Sequence, residues 1–505
     1  MSAPPPDSPR SRPGSLWLAA LVCLAFVAAL AYFVHLRQIG TYWAETDLYR
    51  WYAPDADRLL AGRFPDHNPY SPPGYPVLLA ALFPLTGDHF VTGKWLSLAA
   101  AALSGLVAFL LFRRLFGETA ALLGAGITLL SGEYTRFAIQ ATTDVVFLLV
   151  CLIALLVLTD ERMPPARWAV LLAVLSGGAY LLRYNGAFLV VPCMVALLSR
   201  SAPRGRRAVW VAAYVCSLLL VAAPWLGANW SHRGSPLFSE SYHDIGWHLY
   251  REIGYRSIAD VVGRDPLRFL RRYAASVADT GSRFLGASLW TLPVGPLAAL
   301  GVALSLRRPR RPVALVLVAL LSHLLLVSLT HWETRYHFFA MAVLSGFAAA
   351  AVVWLGAAAA ARWPRAGWLK PAIVGALLLA VLAPLGYSAH ERLQRLVERE
   401  PTEVLAASRA LRAMDPAGGT LMSPKAHLAY LSGRPWRRLP HVPTVEALRE
   451  VVRGSDIRFI AWDRMGWRIS RDLGGVLDDP SKVGDWLLPV YRDPPHELVI
   501  YRVVP

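Results

Sequence analysis

The sequence predicts a many-spanning α-helical membrane protein with a small α/β domain at its C-terminal end. Three observations carry that reading. Of the 505 residues 55% are hydrophobic and 17% charged, against roughly 45–50% and 25% in a soluble globular protein. Eleven apolar runs follow one another between residues 16 and 388. Beyond them, residues 389–505 change to a mixed pattern with helical and strand periods. Abundant apolar surface excludes a disordered, collagenous or disulfide-stapled chain. Cys23, Cys151, Cys193 and Cys216 all sit inside apolar runs, where a thiol behaves as a small hydrophobe.

A Pro/Ser-rich tail, residues 1–15, precedes an apolar run from Leu16 to Leu36. A hydrocarbon core of about 30 Å takes about 20 helical residues, and a signal peptide has an apolar region of only about 7–15, so this run reads as an uncleaved first span. Further spans are read at 94–112, 119–137, 141–159, 167–182, 185–199, 208–227, 286–306, 312–330, 336–356 and 371–388. Residues 119–159 fold back at a tip carrying Glu133, Arg136, Gln140 and Asp144, because charges are tolerated at the water-facing end of two helices and costly at the bilayer centre. Segment 77–86 is too short to span and reads as interfacial.

Orientation comes from counting Lys and Arg in short loops. Loops on the side of the N-terminus hold fifteen, the other side three, namely Arg136, Arg183 and Arg335. The positive-inside rule then places the N-terminus in the cytoplasm. The odd span count places the C-terminus outside, in a plasma or inner membrane. The net charge of +17 is thereby accounted for, with the lipid bilayer as partner and no nucleic acid. Loops 38–93 and 228–285 and the domain at 389–505 face outward from a transmembrane domain at 16–388. In the last domain, helices are predicted at 402–414 and 444–453 and strands at Thr420–Ser423, Ile457–Trp462 and Leu498–Val503.

The polar residues gather on that outer side. The first loop wraps Glu45 and Asp47 in aromatics just past the first span, where a carboxylate is suited to taking a proton from a hydroxyl. Tyr70-Ser-Pro-Pro-Gly-Tyr75-Pro follows, its prolines fixing the backbone beneath the two tyrosines. Arg183 and Arg335 head membrane helices and are suited to gripping a phosphate. Glu240, His243 and Asp244 are the candidates for a divalent metal ion, although their spacing matches no metal motif. A Walker loop, a dinucleotide Gly fingerprint and a His-Glu-x-x-His helix are absent from the sequence, which argues against an ATP-driven pump or a zinc protease.

In this order, one helix, a loop acid at Asp47, the Tyr70–Pro76 motif, the Thr143-Asp144 helix start, Arg183-Tyr-Asn-Gly186 and Arg335-Tyr336 resemble the GT-C-type glycosyltransferases. Within that type the resemblance is to the protein O-mannosyltransferase and lipid A aminoarabinose transferase group and to bacterial lipopolysaccharide-core transferases. It covers roughly residues 16–390. The resemblance implies an inverting transferase that uses a polyprenyl-phosphate-linked sugar donor and a cell-envelope acceptor on the external face. Asp47 would activate the acceptor. Glu45, Asp144, Tyr70 and Tyr75 would shape the acceptor side, and Arg183, Arg335 and Tyr336 would meet the donor phosphate. Where some relatives carry an acid and a lysine, this sequence has the Pro-Pro motif, which leaves metal dependence open. A flippase for lipid-linked sugars, a polysaccharide polymerase or ligase, and a membrane scaffold are the competing readings.

Overall fold

Each of the eleven apolar runs forms a helix in the computed structural model, which describes residues 13–504 except 66–67, 287–289, 291–292, 308, 363–367 and 416–417. Most of the expected tail therefore lies outside the described residues. Five helices are long and apolar enough to cross a membrane, among them Pro13–Leu36, His89–Phe116, Pro165–Leu182 and Arg204–Arg233. The fifth continues the short turn Thr334–His337 into Phe338–Arg362. Apolar helices of this number and length make the chain a multi-pass membrane protein.

The run expected at 119–137 stops earlier, at Leu130, and a separate turn Gly132–Phe137 follows. Ser131 is extended between them, and the Thr135 hydroxyl donates to the Leu129 and Ser131 carbonyls, which breaks the helical ladder locally. Likewise the run expected from 286 starts its helix at Val294. At 13 residues, Glu118–Leu130 is about 20 Å long. Such short helices are accommodated by close packing against the long ones. Gly301 is the clearest case, since a Cβ there would stand 2.0 Å from the Phe347 carbonyl oxygen of the neighbouring helix.

Polar contacts sort the loops into two ends. At one, Ser15 donates to Glu118, Arg114 to the Leu156 carbonyl, Arg200 to the Glu161 carbonyl, and Arg311 pairs with Glu161 at 3.0 Å. These are the arginine-rich short loops. At the other end Arg37, fully buried, donates to both Glu45 oxygens at 2.9 and 2.5 Å, to Glu400 at 2.7 Å and to the Ile139 carbonyl at 2.6 Å. One guanidinium thus joins the first helix, the first long loop, the 138–143 turn and the start of the C-terminal segment. Lys94 closes the first helix by donating to the Val34 and Arg37 carbonyls, the place where a cation satisfies orphan acceptors.

Residues past the helix Leu369–Glu398 build a five-stranded sheet. Its strands are β1 (Thr420–Ser423), β2 (Trp436–Arg438), β3 (Ile457–Trp462), β4 (Leu487–Asp493) and β5 (Leu498–Val503), in the order β2-β1-β3-β5-β4. β1 runs parallel to β2 and β3, and β5 antiparallel to β3 and β4. β2 and β4 went unread in the sequence because both are largely exposed and lack an apolar alternation. Alternate residues face opposite ways: Leu421, Phe459 and Ile500 join the main core, while Met422, Ile460 and Tyr501 pack with Leu448 and Leu477. The sheet is held to the first long loop by His427, whose ring sits 4.3 Å from Tyr49 and 4.9 Å from Tyr42. Tyr42 donates to Asp463 at 2.9 Å and Tyr430 to Asp57 at 3.1 Å.

Candidate active site

The loop that carries Asp47 is rigid because of Glu45. Its carboxylate is closed to solvent and accepts from the backbone N–H of Thr41 at 2.9 Å and of Ala141 at 2.8 Å as well as from Arg37. A carboxylate so fully engaged has no oxygen left open to a ligand. Its part is to fix the backbone two residues before Asp47, which in turn opens the π-type turn Leu48–Tyr52.

Asp47 reaches into a cleft where its side chain is 38% accessible and pairs with Arg335 at 3.8 Å. Burial pushes its carboxyl above the usual carboxylate range, and the Arg335 and Arg183 charges pull it only part of the way back. Arg335 lies in the turn Thr334–His337 and donates through Nε to Glu333 at 2.5 Å. Burial would raise Glu333, but His331 and Arg335 hold it down to about 2. Arg183 ends the helix Pro165–Leu182 and donates to Asp144 at 2.5 Å and to Thr143 at 2.9 Å. The Tyr336 ring lies 5.1 Å from the Arg183 guanidinium and 5.3 Å from that of Arg335, within cation–π reach of both.

The structure therefore brings Asp47, Asp144, Arg183, Arg335 and Tyr336 together. It splits the four polar residues of the tip. Glu133 pairs with Arg136 and Arg392, Gln140 turns toward Thr41 and Glu45, and only Asp144, at the head of its own helix, joins the site. Tyr75 is fully buried, edge-on to Tyr52 at 5.2 Å, and supports the cleft from behind. Tyr70 is half-buried and bonded to Glu240, and burial pushes its hydroxyl up to about 12. Asn68 fixes that segment by accepting from the Tyr70 and Ser71 N–H groups.

The metal candidates do not converge. The His243 Nδ1 accepts from the Gly254 N–H, and burial raises the Asp244 carboxyl. Among the described residues no three His, Cys, Asp or Glu side chains gather in a geometry that holds a metal ion.

Sequence reasoning missed Tyr52, Arg50, Lys425 and Arg438. Tyr52 shares the electrostatic field of Asp47, Arg183 and Asp144, and burial pushes its hydroxyl up to about 12. Arg50 stood in view within the aromatic run. Lys425 and Arg438 carried no signal, because docking of the C-terminal sheet is what sets Lys425 in the field of Asp47 and Arg438 in that of Arg50.

A family model described as dolichyl-phosphate-mannose-protein mannosyltransferase matches residues 70–227. Against solved structures, the chain is similar over 98% of its length and 99% of the other chain to ArnT from Cupriavidus metallidurans bound to undecaprenyl phosphate, at 16% identity and a TM-score of 0.62. The chain has a GT-C-type fold. The Archaeoglobus fulgidus oligosaccharyltransferase is also similar, at 13% identity and a TM-score of 0.62 over 91% of this chain and 71% of that one. The arabinofuranosyltransferase AftD from Mycobacteria gives 16% identity and a TM-score of 0.55 over 98% of this chain and 40% of that one. No curated protein matches the chain. The similarity to ArnT thus spans both the helical bundle and the C-terminal sheet.

Proposed function

We propose that this protein is an inverting glycosyltransferase that moves a sugar from a polyprenyl-phosphate donor to a glycan, lipid or protein acceptor of the cell envelope, at the external face of the membrane. The observation that carries the reading is the meeting of Asp47 with Arg335 and Arg183 around the Tyr336 ring, at the end of the bundle away from the arginine-rich loops. The relatives support the donor class, since ArnT was solved with undecaprenyl phosphate and the Archaeoglobus oligosaccharyltransferase AglB with a dolichol-phosphate. A transporter of lipid-linked sugars would need its polar groups at the bilayer midplane, whereas the charges here collect beside Asp47.

In this reading the acceptor oxygen attacks the anomeric carbon, the bond from that carbon to the phosphate oxygen breaks, and the acceptor proton passes to Asp47. Negative charge builds on the leaving phosphate. Arg183 and Arg335 are held by Asp144 and Glu333, so they are already placed to stabilise that charge in the transition state. Donor phosphate would also take Arg335 from Asp47, leaving the carboxylate a stronger base as the donor arrives. No step is assigned to a metal, because the described residues offer no group of three His, Cys, Asp or Glu side chains placed to hold one.

The test is transfer from a panel of labelled polyprenyl-phosphate sugars to extracted envelope acceptors by wild type and Asp47→Asn. The expected loss in Asp47→Asn is about 10²–10⁴ in rate with donor binding retained. Transfer unaffected by Asp47→Asn would refute the catalytic assignment. Transbilayer movement of a labelled lipid-linked sugar in proteoliposomes, with no transfer from any donor, would favour the flippase.

A further inference from the structure

We propose that the acceptor is an anionic glycan, bearing a phosphate or a carboxylate, seated in the groove between the first long loop and the C-terminal sheet. This rests on the transferase reading and narrows its substrate. The groove has a volume of about 1000 Å³ and runs from Phe83, His89 and Phe90 to Trp436, Arg437 and Arg438 on β2. That is at the upper end of small-molecule sites and leaves room for more than one sugar.

Two features give the groove its chemistry. Trp51 and Trp436 flank the Arg50 guanidinium at 4.2 and 5.1 Å, and Trp51 continues to the Tyr70 ring at 6.1 Å. Half-buried rings of this kind offer sugars flat apolar faces with polar rims.

The second feature is unpaired positive charge. Arg183 and Arg335 are each committed to an acid, whereas Arg50 and Arg438 in the groove wall, and Lys425 next to the wall residue Ala426, form no ion pair among the described residues. Their charges act on one another unfavourably. The buried Nε of Arg50 has no hydrogen-bond partner, and an unmatched buried donor is costly unless a ligand supplies the acceptor. Asp47 lies within the field of both Arg50 and Lys425. The committed pair therefore suits the donor phosphate, and the three unpaired cations suit an anion on the molecule that brings the hydroxyl.

The experiment uses the full chain in detergent with saturating undecaprenyl phosphate, and follows tryptophan emission while titrating methyl β-glucoside, its 6-phosphate and methyl β-glucuronide. One or both charged glycosides are expected to bind at least tenfold tighter than the neutral one, and which of them does so identifies the anion. Lys425→Gln and Arg438→Gln are each expected to reduce that preference severalfold and together to abolish it, leaving affinity for the neutral glycoside and the unfolding midpoint unchanged. Equal binding of all three glycosides, or a preference that survives both substitutions, overturns the proposal. So does a preference seen only without undecaprenyl phosphate, which would put the anion at Arg183 and Arg335. Binding is read without transfer, so an intact preference in a protein that transfers nothing counts against the transferase reading alone.

Discussion

Arg335→Gln isolates the electrostatic control of Asp47. The pair stands at 3.8 Å, where two unit charges attract by about 1 kcal/mol in water and about 4 kcal/mol at an effective dielectric of 20. The Asp47 side chain is 38% accessible, and solvent screening therefore holds the interaction near the lower value, about 1–2 kcal/mol or roughly one pKa unit. The sign follows from which form Arg335 favours. Burial already raises the Asp47 carboxyl, and Arg335 opposes that by stabilising the carboxylate. Removing the cation raises the pKa further, so the base form is lost at a higher pH as the solution is acidified. The assay is the pH dependence of kcat/KM with donor varied, which reports the free enzyme. Its acid limb is expected to move up by about one unit in Arg335→Gln and to vanish in Asp47→Asn. Loss of a phosphate contact lowers the plateau of the profile without moving its limb, so the two effects separate. A limb that stays in place, moves down, or persists in Asp47→Asn would refute the assignment of Asp47 as the titrating base.

Three further outcomes are expected. Arg183→Gln should raise the KM for donor about tenfold or more by removing a charged phosphate contact, and unchanged donor affinity in a binding assay would exclude Arg183 from the donor site. Glu45→Gln leaves the fully buried Arg37 with Glu400 as its remaining carboxylate; breaking such a pair costs about 3–5 kcal/mol, so the unfolding midpoint in detergent should fall clearly, and an unchanged midpoint would deny Arg37 its joining role. Gly301→Ala should cost about 1–3 kcal/mol by forcing apart two helices whose backbones nearly touch, whereas Gly178→Ala, with open space around its position, should be neutral or stabilising, and equal midpoints for the two variants would refute the packing argument.

Much of the bundle was legible in the chain. Apolar runs of bilayer length fix where helices form, because a backbone in hydrocarbon must satisfy its own hydrogen bonds. The same alternation of apolar and polar stretches marked β1, β3 and β5. It could not mark β2 and β4, whose exposed residues carry no period. Helix ends were legible only where a cap or polar cluster announced them, and the break at Ser131 is set instead by the Thr135 hydroxyl bonding back to the Leu129 and Ser131 carbonyls. Among site residues, Asp47, Arg183 and Arg335 were readable as charges set where loops meet membrane helices.

Local composition was enough to establish the membrane class, the order of the helices, the gathering of basic residues in one set of short loops and the residue types available for chemistry. Packing is what made Glu45 a buried strut and left Asp47 the open carboxylate, two acids two positions apart with opposite fates. It alone brought Arg183 and Arg335 to one tyrosine ring, and carried Lys425 into the field of Asp47 and Arg438 into that of Arg50. Electrostatic partnership falls off over a few ångströms in space, and residues hundreds of positions apart acquire it only when packing sets their distance.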